Sequence, residues 1–80
     1  MRKIVSGRIY EINEEEKIIT LKFENRLMYF YLQRSLHLRI EKYITINRFI
    51  QFVINDEPRM YHGIKVYNIE YILKIMEIRY

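Results

Sequence analysis

The chain has 80 residues, 50% of them hydrophobic, and carries a formal net charge of +4. This length makes one domain, and this hydrophobic content excludes an intrinsically disordered chain. The absence of cysteine excludes disulfides, thiolate chemistry and cysteine-based metal sites. No apolar run approaches the roughly 18 residues that span a bilayer, and the N-terminus lacks the apolar stretch of a signal peptide. We therefore expect a cytoplasmic protein that does not enter a membrane.

The first part of the chain is predicted to form strands joined by polar turns. Residues 3–12 have the pattern of a strand, in which Gly7 indicates a bulge or a sharp bend. Residues 13–16, Asn-Glu-Glu-Glu, are typical of a turn, and residues 17–23 form a second strand. Residues 24–26 then make a short hairpin connection to a third strand.

The third strand contains three consecutive aromatic residues in the stretch LMYFYLQR, residues 27–34. Alternate residues of a strand point to opposite faces, so Tyr29 and Tyr31 share one face and Phe30 lies on the other. The neighbouring predicted strands each offer an apolar face to Phe30. We therefore assign Phe30 to the core and the two tyrosines to the outer surface.

The second half of the chain begins with an ambiguous connection. Residues 34–46 fit either helical or alternating spacing, so a helix, a strand or an irregular link remains open. Residues 48–54 are predicted to be a strand and residues 55–58 a turn, because Pro58 is not compatible with a central strand. Residues 61–69 form the fifth predicted strand.

The C-terminal segment, residues 69–80, is strongly apolar and fits a helix or a strand equally well. Such a segment must be covered, either by the core or by a second subunit. We treat residues 1–68 as the folded barrel and residues 69–80 as an extension that offers a homodimer contact. The order of three strands, a connection and two strands predicts an all-β, five-stranded OB-type barrel, with an SH3-like small barrel as the alternative.

Two stretches of the chain resemble the cold-shock domain, an OB-fold family that binds single-stranded RNA and DNA. The first, SGRIYEIN at residues 6–13, is similar to the family's opening strand. The second, NRFIQFVINDEPRMYHGIKV at residues 47–66, is similar to its fourth and fifth strands and the loop between them. The resemblance covers about residues 5–67 and implies a barrel that binds single-stranded nucleic acid.

The resemblance also implies where bases stack. Tyr29 and Tyr31 occupy the outward aromatic and histidine places of the family's second RNA-binding motif. The aromatic places of the first motif fall on Ile18 and Thr20, and Glu11 stands where the family has a tryptophan. Two tyrosines are thus the predicted stacking residues.

Basic residues supply the second part of the predicted site, since a positive net charge suits an acidic partner such as nucleic acid. Lys17 and Lys22 are expected near the tyrosine face and would contact phosphates. Arg59, His62 and Lys65 fall near positions that carry polar contacts in the cold-shock family. The predicted nucleic-acid-binding residues are Tyr29, Tyr31, Lys17, Lys22, Arg26, Arg59, His62 and Lys65.

Catalytic and metal sites are not predicted. His37 and His62 are far apart in sequence and lack metal-ligand spacing. The two serines, Ser6 and Ser35, are not in a nucleophile elbow, and there is no glycine-rich phosphate loop. We expect no enzyme activity and no cofactor. The alternative to nucleic-acid binding is a protein-interaction or self-associating OB domain that has lost it.

Overall fold

The computed structural model describes residues 1–33 and 41–76, which form six strands and one short 3-10 turn. The strands are β1 (Arg2–Asn13), β2 (Ile18–Phe23), β3 (Arg26–Leu32), β4 (Phe49–Asn55), β5 (Arg59–Tyr61) and β6 (Ile64–Met76). The 3-10 turn covers Glu41–Tyr43, within the connection whose structure the sequence left open. Residues 34–40 of that connection lie outside the described residues. Within the described ranges, no helix is long and apolar enough to cross a membrane.

Five of the strands close into a ring. β1, β2 and β3 form an antiparallel meander, β4 pairs with β1, and β6 pairs with β4. A parallel pairing of β3 with β6 completes the ring, and β5 forms a hairpin with the first residues of β6. This arrangement is the five-stranded OB-type barrel that the sequence predicted.

β1 pairs with two neighbouring strands, and the change from one to the other falls between Arg8 and Ile9. Residues 2–8 pair with β4, whereas residues 9–13 pair with β2. A Cβ atom on Gly7 would lie 2.9 Å from Leu21 Cδ2 and 3.2 Å from Phe23 Cε1, so glycine lets these core side chains approach the backbone. The register shift occurs between Ile9 and Glu11 and not at Gly7, so the bulge alternative predicted for Gly7 is wrong.

The core is centred on Phe30, which is 0% exposed. Its ring packs edge-on against Phe52, with centroids 4.8 Å apart, and lies 6.1 Å from the ring of Tyr67. Edge-to-face aromatic pairs are favourable because the positive edge of one ring meets the negative face of the other. Three strands therefore meet at this point, as the pattern around Phe30 predicted.

Two of the predicted turns are confirmed by their local hydrogen bonds. Asn13 Oδ1 accepts a hydrogen bond of 3.0 Å from the backbone N–H of Glu16, which closes the turn between β1 and β2. Asn55 Oδ1 accepts one of 3.1 Å from the N–H of Glu57, in the turn that precedes Pro58. Short asparagine side chains suit such turns because they mimic a backbone carbonyl.

The predicted fifth strand, residues 61–69, is wrong as a continuous element. His62 and Gly63 have positive φ angles of 49° and 80° and form a two-residue turn between β5 and β6. Positive φ at both central positions suits the right-handed twist of a hairpin, and glycine adopts it without strain. The alternating apolar residues on either side of this turn concealed it in the sequence.

The described part of the C-terminal segment is a strand, one of the two predicted alternatives. β6 runs to Met76, and its second half pairs with β4 from Ile69 onward. The expected boundary after Asn68 therefore falls inside a strand of the barrel wall. Tyr71, Leu73 and Met76 are exposed on this part of β6, so a homodimer contact here stays a prediction.

Replacing neighbouring residues of β3 tests the alternation directly. Phe30→Ala should lower the free energy of unfolding by about 3–5 kcal/mol, because it empties a fully buried site. Tyr29→Ala, on the outer face, should cost about 1 kcal/mol or less, the value of a cross-strand contact. Urea denaturation of both variants measures the difference. Equal losses would contradict the assignment of the two faces.

Candidate nucleic-acid interface

A row of side chains crosses the outer face of the barrel. Glu11 lies opposite Thr20, Thr20 opposite Tyr29, and Tyr29 opposite Val66 on paired strands. Val66 also lies opposite Arg59 of β5. Residues directly opposite one another place their side chains on the same face of a sheet. An acid, an aromatic ring and a guanidinium group therefore occupy one surface.

Tyr31 lies in the next row, between Ile18 on β2 and Asn68 on β6. Tyr29 and Tyr31 are both half-buried, whereas Phe30 between them is in the core. The predicted outward placement of the two tyrosines is therefore confirmed. Their role in stacking stays a prediction.

A groove of about 810 Å³ lies above this face. The groove lies between the β1–β2 turn and the β5–β6 hairpin, and we call it the acidic groove. Its carboxylates are Glu11, Glu14, Glu15 and Glu16, its floor includes Ile18, Thr20, Tyr29 and Val66, and the hairpin contributes Tyr61, His62 and Ile64. The described lining residues include these four carboxylates and neither lysine nor arginine.

A hydrogen bond between Tyr61 and Glu16 joins the hairpin to the β1–β2 turn. The Tyr61 hydroxyl donates to a carboxylate oxygen of Glu16. This bond raises the pKa of Tyr61 above its usual value, because ionised tyrosine has no proton to donate; burial and the carboxylate charge act in the same direction. The His62 ring packs edge-on against Tyr61, with centroids 4.3 Å apart. The two loops are thus fixed relative to each other at one end of the groove.

A second concavity of about 310 Å³, the small pocket, lies next to the acidic groove and shares Glu16 and Tyr61 with it. The small pocket also contains Tyr31, Arg59 and Asn68. Asn68 Oδ1 is buried without a hydrogen-bond partner among the described residues. A buried carbonyl oxygen of this kind favours a donor, since leaving it unpaired costs free energy.

Tyr29 also borders a third concavity, on the side away from the four carboxylates. This basic concavity, of about 270 Å³, is lined by Arg26, Leu27, Met28, Tyr29, Ile64, Lys65 and Tyr67. Arg26 is held by a contact of 3.7 Å from its Nη2 to Met28 Sδ. Two of the predicted phosphate-binding residues, Arg26 and Lys65, are therefore brought together beside Tyr29.

The remaining predicted residues are more dispersed. Lys22 is exposed and its Nζ lies 5.4 Å from the centroid of the Tyr10 ring, a cation–π distance. Lys17 adopts a left-handed conformation at the end of the β1–β2 turn and lines none of these three concavities. His62 lines the acidic groove, where it faces carboxylates and not a phosphate path.

The sequence did not predict the positions of Tyr10 and Tyr61 at the candidate interface. The bulge between Ile9 and Glu11 leaves Tyr10 exposed beside Lys22, and no residue type at this position signals a bulge. Tyr61 was predicted to lie in a continuous strand, because the apolar residues on either side of the His62-Gly63 turn continue the alternation of a strand. Among residues 1–33 and 41–76, no group of three or more His, Cys, Asp or Glu side chains is arranged to hold a metal ion.

The Tyr61–Glu16 bond predicts a pH dependence of stability. The folded-state pKa of Tyr61 is raised, so the bond contributes fully below the unfolded-state pKa of about 10 and is lost as pH rises through the folded-state value. The urea midpoint of wild type minus that of Tyr61→Phe should be positive at neutral pH and shrink in alkaline solution. Tyr71→Phe, an exposed tyrosine outside the groove, is the control. A Tyr61→Phe difference that stays constant with pH would contradict the bond.

Comparisons of the chain with protein-family models, with curated proteins and with solved structures gave no match. The likeness to the cold-shock domain therefore rests on the two quoted stretches of sequence. The barrel topology is established independently by the pairing of the strands.

Proposed function

We propose that this protein is a noncatalytic, cytoplasmic module that binds single-stranded RNA or DNA on the basic side of its outer face. The observation that carries the proposal is the position of Tyr29, half-buried in the sheet and bordered by Arg26 and Lys65. An aromatic ring stacks on any base, and adjacent cations neutralise the phosphates on either side. The two requirements of single-strand binding are met within one concavity.

The surrounding charges favour one path for the phosphates. The four glutamates of the acidic groove repel a phosphate backbone, whereas Arg26, Lys65 and Lys22 attract it. A strand bound on Tyr29 therefore keeps its backbone over the basic concavity and extends toward Lys22 and Tyr10. The Tyr10 ring offers a second stacking surface, and Lys22 Nζ lies close to this ring.

Tyr31 and Arg59 form a second aromatic–basic pair, in the small pocket. A base that enters this pocket meets the Tyr31 ring and the Asn68 amide, and Arg59 neutralises its phosphate. This pocket extends the proposed contact to two tyrosines, as in the cold-shock resemblance. Lys17 and His62 fall outside the proposed path.

Removing the stacking ring gives the first test. Tyr29→Ala should weaken binding of oligo-dT or oligo-rU by about 1–3 kcal/mol, the value of one stacked base. Fluorescence titration at low salt measures the affinity. Tyr71→Ala removes an exposed tyrosine from a distant part of β6 and should leave binding unchanged. Equal binding by wild type and Tyr29→Ala would contradict stacking on Tyr29.

The phosphate contacts predict a change in salt dependence. Arg26→Gln and Lys65→Gln should each reduce the slope of log affinity against log salt by about 0.7, the contribution of one released counterion for a single strand. Lys74→Gln is the matched control, because Lys74 is exposed on the second half of β6 and lines none of the three concavities. Slopes that fall equally in all three variants would show that only the net charge matters.

A further inference from the structure

The acidic groove contains binding features that nucleic-acid binding does not use. Thr20 lies on its floor and is only 4% exposed, and no described residue hydrogen-bonds with its side chain. A threonine hydroxyl is both a donor and an acceptor, so Thr20 can hydrogen-bond with a polar group that occupies the groove. This hydroxyl is a feature independent of the carboxylates on the rim.

The floor and the hairpin side of the groove also carry apolar side chains. Ile18 and Val66 flank Thr20 and Tyr29, and Ile46 and Ile64 line the groove while remaining exposed. Exposed isoleucines beside a concavity favour an occupant that covers them. The groove volume of about 810 Å³ is within the range of roughly 300–1,000 Å³ found for ligand sites.

Carboxylates occupy the opposite side of the groove. Glu14, Glu15 and Glu16 are consecutive residues of the β1–β2 turn, and Glu11 extends this side along β1. Among the described lining residues no lysine or arginine neutralises them. An occupant must therefore be cationic on this side and apolar on the other.

We propose that the acidic groove binds a short cationic segment of a partner protein. Lysine or arginine side chains of the segment pair with Glu14 and Glu15, an apolar side chain covers Ile18 and Val66, and a backbone amide meets the Thr20 hydroxyl. The charge of the whole chain supports a local site, since a protein of net charge +4 does not attract cationic peptides in general. A single-stranded nucleic acid has the wrong charge for this groove.

The test uses the full chain and a short fluorescent peptide of alternating arginine and leucine. Fluorescence anisotropy should show saturable binding of this peptide. A peptide of alternating glutamate and leucine should not bind, and a peptide of alternating arginine and serine should bind more weakly. Binding of the arginine–leucine peptide no tighter than the glutamate–leucine peptide would overturn the proposal.

A pair of charge-matched variants locates the site. Glu14→Gln/Glu15→Gln should weaken the peptide about fivefold, the combined effect of two exposed ion pairs. Glu24→Gln/Glu57→Gln removes the same charge from two exposed turns outside the groove and should leave the affinity unchanged. Equal weakening by both variants would mean that only net charge acts, and the groove assignment would be wrong.

An oligonucleotide titration of the same variants separates this proposal from the proposed function. Oligo-dT should bind both double variants at least as tightly as wild type, because each variant loses carboxylates that repel phosphates. Failure of the arginine–leucine peptide to bind wild type, while oligo-dT still binds, would overturn the present inference and leave the proposed function intact. Amide shifts in ¹⁵N spectra on adding the arginine–leucine peptide should centre on the β1–β2 turn and the β5–β6 hairpin, and shifts confined to other regions would also overturn it.

Discussion

The parallel pairing of β3 with β6 is the contact on which the rest of the structure depends. It places Phe30 opposite Tyr67 inside the barrel and Tyr29 opposite Val66 outside it. The same four-residue register therefore closes the core and builds the outer row of side chains. Because β6 begins with the hairpin to β5, this closure also holds the hairpin against the outer face of β2 and β3. Without the β3–β6 pairing the barrel would be open, and the β5–β6 hairpin would not lie opposite the β1–β2 turn.

The closure has an electrostatic consequence, because it brings two oppositely charged regions to one surface. The acidic β1–β2 turn lies on one side of Tyr29, and Arg26 with Lys65 lies on the other. A chain of net charge +4 thus presents a negative groove and a positive concavity within one face. Net charge predicts how the whole molecule attracts a distant partner, whereas the arrangement of side chains determines which partner fits at contact.

The sequence predicts the parts of this structure that depend on local patterns. Alternation identifies Phe30 as core and Tyr29 as surface, and asparagine marks the turn after β1. The position of charge is different, because Glu14 and Lys65 are far apart in the chain and become neighbours of one tyrosine only when the ring closes. The turn between β5 and β6 at His62 was not predicted because of a local pattern. This turn is only two residues long, and the apolar residues around it continue the alternation of a single strand.

Tyr29 and Ile64 line both the acidic groove and the basic concavity, so the two proposed sites share a wall. A base stacked on Tyr29 fixes the orientation of a ring that also borders the groove. A phosphate backbone on one side and a cationic segment on the other carry opposite charges and attract each other across this wall. Binding of either proposed ligand would then favour the other, and such coupling would be reciprocal because it is a free energy shared by the two sites. Such coupling is physically possible because Tyr29 is half-buried and its ring is accessible from both concavities.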